Sequence, residues 1–258
     1  MKCLVAVVAI MMMTLGGVTA QTWTSGECTV TLENGVLTVS GNGSMAHYIN
    51  ESSVIPWYDS REQVTSIVVS NGVTNIGVRA FIGCSNATTV SLPNTLTSIG
   101  LMAFLGCTGL TDITLPNSLT SIQESAFMDC TGLTSITLPN SVTTIKEGLF
   151  EGCTGLTTVT LPSSVTKIEE RAFYNCSAVT DVYLAANPAN LTWENEWYGS
   201  VYNDFKENGT TLCHVPSQYY EAYVANFSHI NVIFVEEGQM SWQSGDCTVT
   251  LENGVLTV

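Results

Sequence analysis

Basic residues are scarce in this chain. Lys and Arg together number 7 in 258 residues, against 22 Asp and Glu, and the formal net charge is −15. A surface this acidic repels phosphate backbones and anionic headgroups, which argues against nucleic acid as a partner. Charged residues of either sign make up only 11% of the sequence and hydrophobic ones 45%, ample for the core of one or two domains. The few histidines, His47, His214 and His229, all fall outside the repeated part of the chain described below. Phosphate-cradling glycine loops, EF-hand loops and zinc spacings do not occur, so the reading assigns no metal, no cofactor and no catalytic residue. Long apolar runs are missing too, except at the start.

That start, residues 1–20, reads MKCLVAVVAIMMMTLGGVTA, with Lys2 ahead of an apolar run from Cys3 to Leu15 and small residues up to Ala20. This is the layout of a secretory signal peptide cleaved after Ala20, and the run is short for the ~20 residues of a membrane span. The expectation is export to the medium or the cell surface, with no membrane insertion once the signal is removed. Of nine cysteines only Cys3 leaves with the signal. In an exported protein the remainder raise the question of disulfides.

The answer for five of them lies in a fixed period. From Val64 the chain divides into registers of 23 residues, such as LTDITLPNSLTSIQESAFMDCTG and LTSITLPNSVTTIKEGLFEGCTG. Phe81, Phe104, Phe127, Phe150 and Phe173 recur without a slip, as do Cys84, Cys107, Cys130, Cys153 and Cys176, and Pro93, Pro116, Pro139 and Pro162. A short fixed period means a solenoid, because one coil cannot bury its apolar face alone and needs its neighbours. Within the third coil, Ile113 and Leu115 alternate with polar residues as a short strand does. Pro116-Asn117-Ser118 turns the chain. Leu119, Ile122, Ala126, Phe127 and Cys130 complete the inward set. Equivalent cysteines then stack about 4.8 Å apart with parallel side chains, whereas a disulfide needs Cβ atoms at ~3.8 Å facing each other. The column therefore reads as free, buried thiols, and Cys28, Cys213 and Cys247 remain unassigned.

Two outward columns flank the buried strand positions. One is Ser66, Thr89, Asp112, Ser135, Thr158 and Asp181; the other is Val68, Ser91, Thr114, Thr137, Thr160 and Tyr183. This face is the candidate ligand-binding surface, with Thr89, Ser91, Asp112, Thr114, Ser135, Thr137, Thr158, Thr160, Asp181 and Tyr183 as its residues. The competing account is that threonine simply suits solvated strands. The all-threonine columns beginning at Thr65 and Thr74 are read instead as structural, their hydroxyls bonding the backbone of the adjacent coil.

Before the repeats, 28–32 and 36–40 flank Asn34-Gly35 as a hairpin, and Pro56-Trp57-Tyr58 offers bulky cover for the first coil. After them, a strand over 211–215, a helix over 216–226 with Tyr219 and Tyr223 on one face, and a strand over 230–234 close the other end. Cys213 and His214, adjacent on a strand, point to opposite sides and cannot pair. Glu194 and Glu196, which could be drawn as an acid–base couple, are read as cap residues. Trp193, Trp197 and Tyr198 either cover the core or stack on sugars. Residues 241–258 then repeat 22–39 at 15 of 18 positions, which reads as the start of a second tandem module, the alternative being a vestigial hairpin. The expected organisation is signal peptide 1–20, N-terminal hairpin cap 21–63, five repeats 64–178, a last partial repeat with its cap 179–237, and the second module from 238.

The coil L-T-x-I-T-L-P-x-S-V-T-x-I-x-x-x-A-F-x-x-C-T-G, with the ending TTLCHVPSQYYEAYVANF, resembles the leucine-rich repeats of BspA-like bacterial surface proteins. Two departures stand out: VVSNGV replaces the Leu-Pro turn in the first coil, and Gly148-Leu149 stands for the usual x-Ala in the fourth. The resemblance implies a mostly β leucine-rich-repeat solenoid with a parallel sheet of about six strands, an N-terminal hairpin cap and an α+β C-terminal cap. It also implies a secreted or surface-attached module without catalysis that binds an extracellular protein, such as one of a host or matrix, as in adhesion. A carbohydrate-binding accessory module of a larger secreted protein or enzyme is the alternative. Recognition of a repeating solid such as ice fits less well, because Asp112, Asp181 and Tyr183 break the lattice.

Overall fold

The computed structural model describes residues 20–49, 54–194, 196–197, 200–201, 211–228, 230 and 232–237, together with the backbone of three strands beyond 239. All of the expected signal segment but its last residue, and the positions of Tyr198 and His229, lie outside the described residues, as does the side chain of Trp197.

The chain is a stack of 23-residue coils with a buried axis. On one face run the strands β4 (Ser66–Val69), β5 (Thr89–Ser91), β6 (Ser135–Thr137), β7 (Thr158–Leu161) and β8 (Asp181–Leu184), all parallel where they pair. Pairing is in strict repeat register, Ser66 with Thr89 and Ser135 with Thr158 and then Asp181. A second flank carries shorter parallel strands, from Val73–Ile76 through Ser98–Ile99 to Ser121–Ile122, and again from Thr144–Ile145 through Lys167–Ile168 to Thr192–Trp193.

The third side of each coil is a run of turns that stack by backbone bonds at every second residue, as Phe104 N–H donates to Ala126 at 2.8 Å and Phe150 N–H to Ala172 at 2.8 Å. Two positions per coil take left-handed backbone. One column is Arg79, Met102, Ser125, Gly148 and Arg171; the other is Gly83, Gly106, Asp129, Gly152 and Asn175. The fourth coil's departure is thereby explained, since Gly148 occupies a position where its neighbours are held at positive φ. Leu149 takes the place of the column's alanine and is fully buried.

Inside, the five phenylalanines form one ladder with centroids 5.2 to 5.7 Å apart, three of the four pairs stacked nearly parallel. The cysteine column is free and buried as expected. Each thiol from Cys107 on donates to the carbonyl of the phenylalanine 26 residues earlier, at 3.1 to 3.3 Å. Cys28 and Cys213 are likewise free and buried. Burial pushes the Cys84 thiol up to about 12 and raises those of Cys107, Cys130 and Cys153 well above the usual thiol range, so none of these is a nucleophile. The threonine columns do what their uniformity predicts: Thr157 donates to Thr134 at 2.9 Å and Thr97 to Thr74 at 3.0 Å.

The N-terminal cap is larger than a hairpin. β1 (Gln21–Ser25), which the sequence reading did not pick out, pairs antiparallel with β2 (Cys28–Glu33), and β2 with β3 (Val36–Gly41). β3 then joins β4 in parallel, so the cap continues the sheet. Trp57 fills the end of the core and donates from its indole to Ala80 at 2.8 Å. Tyr58, expected to share that role, is exposed, with Arg61 over its ring; Tyr48 packs edge-on against Trp57 instead.

At the other end, β9 (Leu212–Pro216) and β10 (Ile233–Glu237) extend the sheet in parallel. The last strand lies three residues later than expected. α1 (Tyr220–Asn226) follows a 3-10 turn over Ser217–Tyr219, so the helix begins four residues after its expected start. Tyr223 is buried and its hydroxyl donates to Ala186 at 2.7 Å. Beyond it, Met240–Ser244, Cys247–Glu252 and Val255–Thr257 form a second antiparallel meander in the register of β1–β3, Met240 opposite Leu251 as Gln21 is opposite Leu32. Among the described residues no helix is long and apolar enough to cross a membrane.

Candidate functional site

The structure places the two outward columns side by side on the face of β4–β8. Thr89, Ser91, Asp112, Thr114, Ser135 and Thr137 are exposed; Thr158 and Thr160 are half-buried. Thr89 bonds Ser66 along its column at 2.9 Å. Alternation puts the partners Val159, Val182 and Ile136 inside, so the face is made of small hydroxyl side chains over an aliphatic floor.

The third coil departs from expectation. Asp112–Leu115 was read as a strand, yet among the described residues it pairs with neither β5 nor β6, and the sheet is split there into two halves. Thr88, Thr134, Thr157 and Thr180 each bond the preceding coil through their N–H; Thr111 does not. Coils two and three stay bonded on the second flank, Thr120 N–H to Thr97 at 2.9 Å, whereas that flank too is interrupted between Ser121–Ile122 and Thr144–Ile145; at the turns the third and fourth coils stay bonded, Phe127 N–H to Leu149 at 3.0 Å. A size step accompanies it: the buried residue that enters the strand is Ala87 in the second coil and Leu110 in the third. An isobutyl group thus stands where the preceding coil has a methyl, a size step that a close-packed interior must accommodate between these two coils.

Two openings result, one on each side of Thr114. The larger, about 340 Å³, lies between the third and fourth coils and is lined by Asp112, Thr114, Asn117, Thr137 and Asn140 over Ile113 and Leu138. The other, about 270 Å³, lies between the second and third coils, with Ser91 and Asn94 over Val90 and Leu92. Val90 and Leu92 are only partly buried, unlike Val159 and Leu161 three coils on. Five of the ten residues named from sequence, Ser91, Asp112, Thr114, Ser135 and Thr137, line these openings. Nothing in the repeat pattern announces a breach in one coil, and only the step from Ala87 to Leu110 hinted at it.

At the C-terminal end of the face the other candidates are engaged. His214, on β9 opposite Tyr183, stacks on the tyrosine ring at 4.5 Å. Its Nε2 lies 2.9 Å from Asp181 Oδ1 and its Nδ1 3.0 Å from Glu237 Oε1. The bond with His214, aided by the Thr180 hydroxyl, holds the Asp181 carboxyl below the usual range against the opposing effect of burial. Sequence reasoning set His214 aside as a cap residue; its place in the face follows from β9 pairing with β8. Cys213 points inward as expected, its thiol pushed up to about 12, so it forms no pair with His214. Trp193 is buried and packs on Phe227 at 6.5 Å, which removes it from any sugar-stacking role.

The family described as BspA type leucine rich repeat region matches residues 57–180 in six copies. These repeats belong to the BspA-type leucine-rich repeat family. A leucine-rich repeat protein from Eubacterium ventriosum is similar over 82% of this chain and 67% of its own, at 21% identity and a TM-score of 0.56. A leucine rich cell surface protein from Faecalibacterium prausnitzii is similar over 90% of this chain and 58% of its own, at 26% identity and a TM-score of 0.51. The pneumococcal vaccine antigen PcpA shares the fold over 82% of this chain and 48% of its own, at 16% identity and a TM-score of 0.55. The chain thus spans between about half and two thirds of the length of these relatives. No curated protein matches it.

Proposed function

We propose that this chain is an exported, non-catalytic BspA-type module that binds a protein ligand at the cell surface, as in adhesion. The observation that carries the reading is the open face of coils two to four: exposed hydroxyl columns over a partly exposed aliphatic floor, with two adjoining openings. Similarity to the Faecalibacterium cell surface protein supports the location, and the leader-like first 20 residues support export. The meander beyond 239, in the same register as β1–β3, fits a second tandem module.

The test is binding of the purified chain from residue 21 onward to a panel of extracellular host and matrix proteins and polysaccharides. The doubly substituted Thr114→Arg, Thr137→Arg chain is the control. Saturable binding to a protein, lost in the double variant with unfolding unchanged, is the expected result. Binding to polysaccharides alone would move the module to the carbohydrate-binding class. Protein binding untouched by the substitutions would place the site elsewhere.

A further inference from the structure

The breach at the third coil narrows what kind of ligand the face takes. This deepens the proposed protein-binding role and rests on it. Three observations meet there. The openings flank Thr114 on either side, one between coils two and three and one between three and four. Paired strands are ~4.8 Å apart, and side chains on one face of an extended chain repeat every ~6.6 Å; the third coil's strand segment pairs with neither neighbour, although Thr134 N–H still reaches Thr111 at 3.2 Å. Each opening has an apolar floor and an amide rim, Val90 and Leu92 with Asn94, and Ile113 and Leu138 with Asn117 and Asn140. Finally, the chain is strongly acidic, and Asp112 is the only charged residue among positions 87–97, 110–120 and 133–143.

We infer that the breach across the third coil seats an extended polypeptide segment of another protein, with apolar side chains at i and i+2 in the two openings and a Lys or Arg beside it against Asp112. The segment runs along the stack, across the strands. Thr114 lies beneath its main chain, and the Asn94, Asn117 and Asn140 amides, which offer both donors and acceptors, bond its peptide groups. A sugar offers no pair of apolar side chains at this repeat. A folded surface presenting helices does not offer extended main chain, which leaves an exposed strand or a flexible segment as the source.

The experiment uses the whole chain from residue 21 and a short acetylated and amidated peptide of alternating valine and threonine ending in lysine. Binding is read by calorimetry and by amide hydrogen exchange at 111–115, where the absent ladder makes exchange fast in the free protein. Slowed exchange at these amides on adding the peptide is expected. Asp112→Asn is expected to weaken binding roughly two- to fivefold, the range for an exposed ion pair, and to remove its salt dependence. Thr114→Trp, which fills the space between the openings, is expected to abolish it, whereas Glu147→Trp on the opposite turns leaves it intact. A peptide with alternate amides N-methylated or with glutamate for lysine is expected to bind at least tenfold more weakly. Equal binding of the N-methylated peptide, or protection of amides elsewhere only, overturns the inference. So does displacement of the peptide by oligosaccharides and not by other peptides. A chain that binds proteins of the extracellular panel through this face yet ignores every peptide overturns this inference and leaves the broader role standing.

Discussion

At the scale of single residues, the left-handed columns are the most informative feature. Met102 sits at φ 54° and Gly148, its equivalent two coils on, at 59°. A side chain in this region costs about 1–2 kcal/mol, partly offset by the greater entropy that glycine loses on folding. Met102→Gly is therefore expected to raise stability by roughly 0.5–1 kcal/mol. Gly148→Ala, whose new Cβ would meet Ser125 Oγ at 3.0 Å, is expected to lower it by about 1 kcal/mol or more. Denaturant unfolding midpoints of the two variants check both signs. The columns were not legible as backbone strain, because Arg, Met, Ser and Gly share no side-chain chemistry. What they share is a place where the chain must reverse in each coil. The buried columns, in contrast, were legible one residue at a time: Phe127 and Cys130 lie where a 23-residue period and apolar character require.

Among elements, the C-terminal end of the sheet is tied together by one polar cluster. Asp181 on β8, His214 on β9 and Glu237 on β10 meet across three strands. Because the Asp181 carboxyl is held below its unfolded value, its contribution to stability is complete above the ordinary aspartate pKa of about 4 and is lost as pH falls through the lower folded value. Acidification below about pH 4 is expected to loosen β8–β10 ahead of coils two and three, as amide exchange by segment would show. In Asp181→Asn the difference between these segments is expected to depend less on pH. Strand periodicity predicted that Cys213 and His214 point to opposite faces. Alternation is local, whereas the meeting of His214 with Asp181, 33 residues earlier, depends on how far 179–210 travels before the chain returns. That distance has no periodic signature, which is also why the last strand was placed three residues early.

For the molecule as a whole, stability rests on nearest neighbours. Phe127 stands in the middle of the ladder, stacked on Phe104 at 5.3 Å and on Phe150 at 5.7 Å. Phe127→Ala removes both contacts from a fully buried site and is expected to cost about 3–5 kcal/mol. The loss should also weaken the coupling between the two halves of the stack. Two unfolding transitions in place of one, followed by exchange in β4–β5 and in β7–β9, would show it; a single unchanged transition would mean that the turn bonds carry cooperativity from the third coil to the fourth.

The sequence by itself determined the period, the inward set, the free thiols and the threonine bonds between coils. Each of these follows from one repeat stacked on a copy of itself, and a repeated cause leaves a repeated pattern. It also determined that both ends needed covers, since an end coil has one bare face. Only the tertiary structure decided that Trp57 covers the first coil without Tyr58, that His214 completes the sheet face, and that the strand segment of the third coil pairs with neither neighbour. These depend on contacts made once: a volume step from Ala87 to Leu110, a cap strand that pairs back onto β8, and a ring that fits one space. A single packing event between residues far apart or unequal in size has no period for a sequence to display.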